Sequence, residues 1–234
     1  MKQLAEGVHV LGGTKGGRVR AFLLETNGEL TLVDTLFEND GRGVLDAIRT
    51  LGRSPCDLKR IVLTHAHRSH LGGLATLKRL TGATVHAHEW EADIIGGERQ
   101  AQAGSLLPLR PLGLIPFRLG LRFGRPKHVP CPVDRTVAEG DRVGPLSVLH
   151  VPGHTPGHLA LYSAEKRVLV AGDAIATWPS FGPGWPGFQL NEAEHRESLQ
   201  RLAALEPAVL GVGHGDPIAT AAAERVHEAA EAAP

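Results

Sequence analysis

Thr64-His65-Ala66-His67-Arg68-Ser69-His70 places three histidines within six residues, directly after the apolar run Ile61–Leu63. Neutral imidazole is a ligand for first-row divalent cations. His65 and His67 are two apart, so in an extended segment they share a face and can reach one ion. His70 lies where a helix should begin and points toward a second position. Pro152-Gly153-His154-Thr155-Pro156-Gly157-His158 sets a histidine in a turn pinned by glycine and proline. His154 is the natural third imidazole for His65 and His67, and three histidines plus water make a catalytic zinc arrangement. His158 fits better as a hydrogen-bond partner behind the ligands. Ala171-Gly172-Asp173 ends a strand with a carboxylate able to bridge two cations, and Gly213-His214-Gly215 ends another with an imidazole. Alone, Asp173 and His214 would read as turn residues; convergence with the first cluster makes them ligand candidates.

The elements that must position these groups alternate between strands and helices. Val8–Leu11, Ala21–Thr26 and Leu30–Val33 read as strands, the last two joined by an Asn27-Gly28 hairpin turn. Helices are expected over Asp40–Leu51, Leu71–Leu80, Glu192–Leu205 and Ala219–Ala232, and further strands over Ile61–Thr64, Thr84–Ala87, Arg135–Val151, Leu159–Ser163, Val168–Ala171 and Ala208–Val212. The candidate ligands fall at strand ends, where α/β sheets place their sites. Residues 96–133 break the alternation: rich in Leu, Pro, Gly and Arg, they are expected to form a lid or insert on one domain spanning 1–234.

Composition limits the function classes. The chain has 234 residues, zero formal net charge and 21% charged residues. That balance offers no electrostatic case for nucleic acid or an anionic membrane as an obligatory partner. Cys56 and Cys131 are expected to be free thiols. No signal peptide and no membrane span are visible, so a cytoplasmic protein acting on a small molecule is expected. The apolar 106–117 segment could be a homodimer surface. His86 and His88 form a second His-x-His, expected not to ligate because one histidine-rich centre is already complete.

The series THAHRSH, PGHTPGH, GD and GHG, in that order, resembles the metallo-β-lactamase superfamily over nearly the whole chain, from Asp34 to His214. The resemblance implies an α/β fold, a four-layer αββα sandwich with metals at one edge of two sheets, and a glyoxalase II-like or lactonase-like core. By position it implies that His65, His67 and His154 hold a first metal, His70 and His214 a second, and Asp173 bridges. Asp34 would support the site from behind. The family pattern is His-x-His-x-Asp-His, and Ser69 stands here at the aspartate position. A neutral hydroxyl is a poor ligand beside a carboxylate, so one tightly held ion is expected, with the second weak or absent. The cofactor expected is zinc, one or two Zn2+, with Fe or Mn as alternatives.

The chemistry implied is metal-assisted hydrolysis, with metal-bound hydroxide attacking an ester, thioester or lactone of a small apolar substrate. Asp173 is the expected group for proton handling, and Ser69 could hydrogen-bond the nucleophile. Trp178, Phe181, Trp185 and Phe188 crowd the segment after Asp173 and are the expected substrate pocket. Arg99, Arg110, Arg118, Arg122 and Arg125 are expected on a solvated face, though one could meet an anionic group. About twenty residues follow His214, so the glutathione-binding helical domain of glyoxalase II is not expected. Two rival readings stand: a mononuclear iron enzyme resembling the persulfide dioxygenases, built on a two-histidine, one-carboxylate triad, and a metal-binding protein with reduced or no catalysis.

Overall fold

The computed structural model describes residues 1–107, 110–123 and 128–234. Seven strands make the first sheet: β1 (Lys2–Ala5), β2 (Val8–Leu11), β3 (Ala21–Thr26), β4 (Glu29–Val33), β5 (Leu58–Val62), β6 (Thr84–Ala87) and β7 (Arg135–Thr136), in that order across the sheet. β1 to β4 run antiparallel, and β4 to β7 run parallel. The second sheet runs β12-β11-β10-β9-β8, built from β8 (Arg142–Val143), β9 (Leu146–His150), β10 (Leu159–Ser163), β11 (Val168–Val170) and β12 (Val209–Gly211). The helices are α1 (Lys15–Arg18), α2 (Arg42–Thr50), α3 (Arg68–Leu71), α4 (Leu74–Thr81), α5 (Glu89–Ile95), α6 (Ile115–Phe123), α7 (Glu192–Ala203) and α8 (Ala222–Glu231).

The period-2 alternation of the strands builds the layers. On β3, Leu23 packs outward with Val44 and Ile48 of α2 and Leu74 and Leu77 of α4, while Phe22 and Leu24 point between the sheets. On β10, Leu159 and Leu161 meet them there, and Ala160 turns to the other side with Leu199 and Leu202 of α7 and Val226 of α8. Each sheet is therefore apolar on both faces and covered by helices on its outer one, which is the expected αββα sandwich. The β3–β4 hairpin turns at Asn27 and Gly28, both at positive φ (50° and 78°), as a two-residue turn of this hand requires.

Several expected boundaries shift. Arg135–Val151 is not one strand: Gly140 and Gly144, both at positive φ, break it into β7, β8 and β9, and the chain changes sheets there. The helix expected over Leu71–Leu80 is two, α3 and α4, because the Gly72-Gly73 backbone packs against the carbonyls of Leu36, Phe37 and Thr35, where a Cβ would collide. β1, α1 and α5 have no counterpart among the elements expected from the sequence. Over 96–133 the described residues contain no strand; they hold a short 3-10 turn (Leu112–Leu114) and α6, and rejoin the core at Cys131. Cys56 is exposed, Cys131 is buried, and both are free. No helix among the described residues is long and apolar enough to cross a membrane.

Candidate metal centre

Each candidate ligand sits on a connection that leaves the same edge of the two sheets. β4 delivers Asp34, whose Oδ1 accepts from the Thr64 backbone N–H (2.8 Å) and whose Oδ2 accepts from the Thr64 hydroxyl (2.9 Å). This pins the start of the His65–His70 loop after β5. Asp34 Oδ2 also lies 2.7 Å from His70 Nδ1, which turns His70 Nε2 inward. The β9–β10 turn brings in His154; Gly153 there has φ 126° and lies so close to the His195 backbone that a Cβ would fall 2.4 Å from it. Asp173 follows β11, and its backbone N–H donates to His158 Nε2 at 3.1 Å. His214 follows β12, held by its Nδ1 on the Gly17 carbonyl (2.9 Å) and by Trp185, stacked on its ring at 4.0 Å.

The groups converge on Asp173. His65 Nε2 lies 3.6 Å and His154 Nε2 3.5 Å from Asp173 Oδ2, and His154 Nε2 is 3.0 Å from His67 Nδ1. On the other side, His70 Nε2 is 3.4 Å from Asp173 Oδ1 and His214 Nε2 is 3.3 Å from Oδ2. His65, His67, His154 and Asp173 thus form one group able to hold an ion, and His70, Asp173 and His214 a second, with Asp173 common to both. All six residues are buried. His65 Nε2, His70 Nε2 and Asp173 Oδ1 are buried polar atoms without a hydrogen-bond partner. Orphaned donors and acceptors converging in one place are costly unless something satisfies them, and a divalent cation fits this nitrogen-rich donor set.

The electrostatics of the first group agree. Burial holds His65 and His154 well below the usual imidazole range and His67 down to about 4, so all three stay neutral with lone pairs available. Burial opposes charge on His70 as well, but the carboxylates of Asp173 and Asp34 outweigh it and lift it to about 10. Burial would raise Asp173; His214 and His70 outweigh it and hold the carboxylate well below its ordinary range.

The metallo-beta-lactamase superfamily model matches residues 14–214. The chain belongs to that superfamily. An uncharacterized protein of Bacillus subtilis strain 168, YobT, is 30% identical over 207 residues, covering 84% of this chain and 83% of its own. A probable metallo-hydrolase of the same organism, YflN, is 33% identical and covers 69% of this chain and 66% of its own. A hydroxyacylglutathione hydrolase of Pseudomonas aeruginosa is 33% identical over 154 residues; the match spans 43% of that relative's length. Among solved structures, the metallo-beta-lactamase family protein TTHA1429 of Thermus thermophilus superposes with TM-score 0.67 at 29% identity, covering 97% of this chain and 79% of its own. The di-iron-bound form of TTHA1623 superposes with TM-score 0.63 at 26% identity, covering 90% and 94%.

Within this superfamily core, the cluster floors a cavity of about 410 Å3 lined by Phe37, Phe117, Leu121, Trp185 and Phe188 among its apolar walls and by His67, Arg68, Ser69, Asp173 and His214 among its polar ones. Of the four aromatic residues expected at a pocket, Trp185 and Phe188 line this cavity. Trp178 stands behind Trp185, accepting its indole N–H on the backbone carbonyl at 2.6 Å. Phe181 faces the opposite side: it packs among residues under α7 and α8 with the Arg225 guanidinium 3.6 Å over its ring. Arg118 is not solvated; it is buried and donates to the Pro186 carbonyl. Arg99 lies 3.9 Å over the Trp90 ring. Arg110 and Arg122 are exposed, and Arg125 lies outside the described residues. His88 stacks on His150 at 4.5 Å and accepts from the Trp90 N–H, away from the cluster.

One residue had no sequence signal. Glu91, on α5 and 1% exposed, accepts from the Ala66 N–H (3.0 Å) with Oε2, and from the Thr155 hydroxyl (2.6 Å) and Gly157 N–H (3.1 Å) with Oε1. Its carboxyl ties the loop of His65 and His67 to the turn of His154. Burial pushes its pKa upward while these three donors oppose the rise. In the sequence it is one acid among several on an amphipathic helix, and only tertiary contact distinguishes it.

Proposed function

We propose that the chain is a metal-dependent hydrolase of esters, thioesters or lactones with a small apolar acyl group. The observation that carries this reading is the placement of the histidine–aspartate cluster at the floor of a cavity with predominantly aromatic and aliphatic walls. His65, His67, His154 and Asp173 would hold the ion, zinc in this reading, and His70 and His214 would share Asp173 with a weaker second one. A divalent cation bound there supplies Lewis-acid polarisation of the scissile carbonyl and lowers the pKa of water toward ~7.

The chain's own groups do the rest. Trp185, Phe188, Phe117 and Leu121 exclude water and seat the acyl group against the cluster. Asp173, which also lines the cavity, orients the attacking water by accepting a hydrogen bond from it. The Ser69 hydroxyl, on the cavity wall, donates to the leaving oxygen or sulfur. Asp34 and Thr64 keep the His65 and His70 rings oriented.

The test is hydrolysis of a panel of apolar esters, thioesters, lactones and one phosphodiester by protein of measured metal content. Turnover of the acyl compounds is expected and of the phosphodiester is not; no turnover of any acyl compound by fully loaded protein would sink the reading. His70, His214 and Asp173 also form a two-histidine, one-carboxylate set, which favours an iron oxygenase as the second reading. Bound iron with persulfide-dependent oxygen uptake would select it.

A further inference from the structure

Helix α6 is apolar on two opposite faces. Phe117 and Leu121 line the cavity and pack with Trp178 and Trp185. Leu119 and Phe123, on the other side and four residues apart, are 45% and 72% exposed, and Leu112 just before the helix is 67% exposed. Helices apolar all round are normally buried, and contiguous exposed apolar side chains mark a contact surface. Arg122, one helical turn from Leu119 on the same side, is exposed, as is Arg110 ahead of Leu112. Glu98 is the sole acid between residues 96 and 133, in a chain whose total charge is zero.

We propose that the outer face of α6, with the turn before it, docks on an anionic lipid surface. Leu112, Leu119 and Phe123 enter the interface, and Arg110 and Arg122 meet the lipid phosphates. A second copy of this chain fits the face less well. A symmetric contact would face two copies of a segment, residues 96–133, that carries Arg110 and Arg122 with a single acid, Glu98. Absence of an anionic membrane partner is what whole-chain charge leads one to expect; the zero total conceals a local excess of cations beside exposed apolar side chains. Pro116 and Gly120 are both exposed and line the cavity, so an acyl compound dissolved in lipid would enter the site alongside the docked helix. That last link rests on the hydrolase reading above; the docking does not.

The experiment is co-sedimentation of the metal-loaded full chain with phosphatidylcholine vesicles and with phosphatidylcholine–phosphatidylglycerol vesicles, at low and high salt. Binding to the mixed vesicles, weakened by salt, and little binding to neutral ones is expected. Arg110→Gln and Arg122→Gln should each lower affinity about fivefold, and Leu119→Ser/Phe123→Ser roughly tenfold or more. All four positions are exposed, so unfolding midpoints should match the parent protein. The proposal is overturned if the parent stays in the supernatant with mixed vesicles at low salt, or if the Leu119/Phe123 variant binds as well as the parent. It is equally overturned if the parent sediments as a dimer that this variant dissolves. Loss or gain of hydrolysis leaves this readout untouched, so the two readings fail separately.

Discussion

Ser69 stands at the position where the resemblance of the chain's motif to His-x-His-x-Asp-His implies an aspartate. Half-buried on the cavity wall beside His70, it offers a neutral hydroxyl where a carboxylate would add charge to the second position. The protein as purified is therefore expected to hold closer to one ion than two per chain by elemental analysis. Ser69→Asp should raise occupancy of the second position; an unchanged count would refute this account of the residue. Glu91 acts at the same scale but through the backbone. In Glu91→Gln the amide can still accept from Thr155 and Gly157, but its NH2 then faces the Ala66 N–H, donor against donor. Metal affinity, read by competition with a chromogenic chelator, should fall about tenfold or more, in line with loss of groups that orient ligands. If Glu91 served only to hold α5 in place, the metal-free protein would melt earlier and the affinity would not move.

At the scale of elements, the ligands depend on turns whose shape is dictated by what they press against. The Gly153 turn shows this most directly. Its φ of 126° and its 2.4 Å approach to the His195 backbone leave no room for a side chain. Backbone atoms cannot swing aside, so Gly153→Ala must displace either the start of α7 or His154 itself. A loss of about 2–4 kcal/mol in denaturant unfolding is expected, together with weakened metal binding. Gly28→Ala, in the hairpin turn far from the cluster, has open space and the same backbone strain only; it should cost less, about 1 kcal/mol, and leave metal binding intact. Equal effects of the two on metal affinity would contradict the role assigned to the His154 turn.

Across the whole molecule, burying five imidazoles and a carboxylate at one sheet edge makes stability depend on pH and on metal. His65, His67 and His154 are held neutral in the folded state. As pH falls from their ordinary value of 6.5 toward about 4, the unfolded chain takes up protons that the folded one refuses, and stability drops. His67 alone accounts for about 3 kcal/mol of that loss. His70 works in the opposite sense: its raised value contributes stability that is complete below 6.5 and is lost as pH rises through about 10. With chelator present, the thermal midpoint should peak near neutrality and decline on both sides. Metal should raise the midpoint most near neutral pH and less in acid, where protons compete for the ligands. A midpoint in chelator that does not change with pH would refute the neutral-imidazole account.

Much of this could be read along the chain. His-x-His after an apolar run, glycine around His154 and His214, and Asp173 at a strand end are local statements about residue type and spacing, and the structure gathers the six into two groups that share Asp173. The continuous apolar runs of β3 and β10 likewise state that both of their faces are buried. What the sequence could not decide is direction and partnership between distant segments. Phe181 and Trp185 sit four apart in the same loop, yet one packs under α8's Arg225 and the other against His214. The bridging by Glu91 to Thr155 and Gly157 follows from contacts across more than sixty residues, and the pairing of β7 with β6 from one across about fifty. Such contacts leave no periodic trace in either segment, because each partner's local pattern is satisfied equally well without the other.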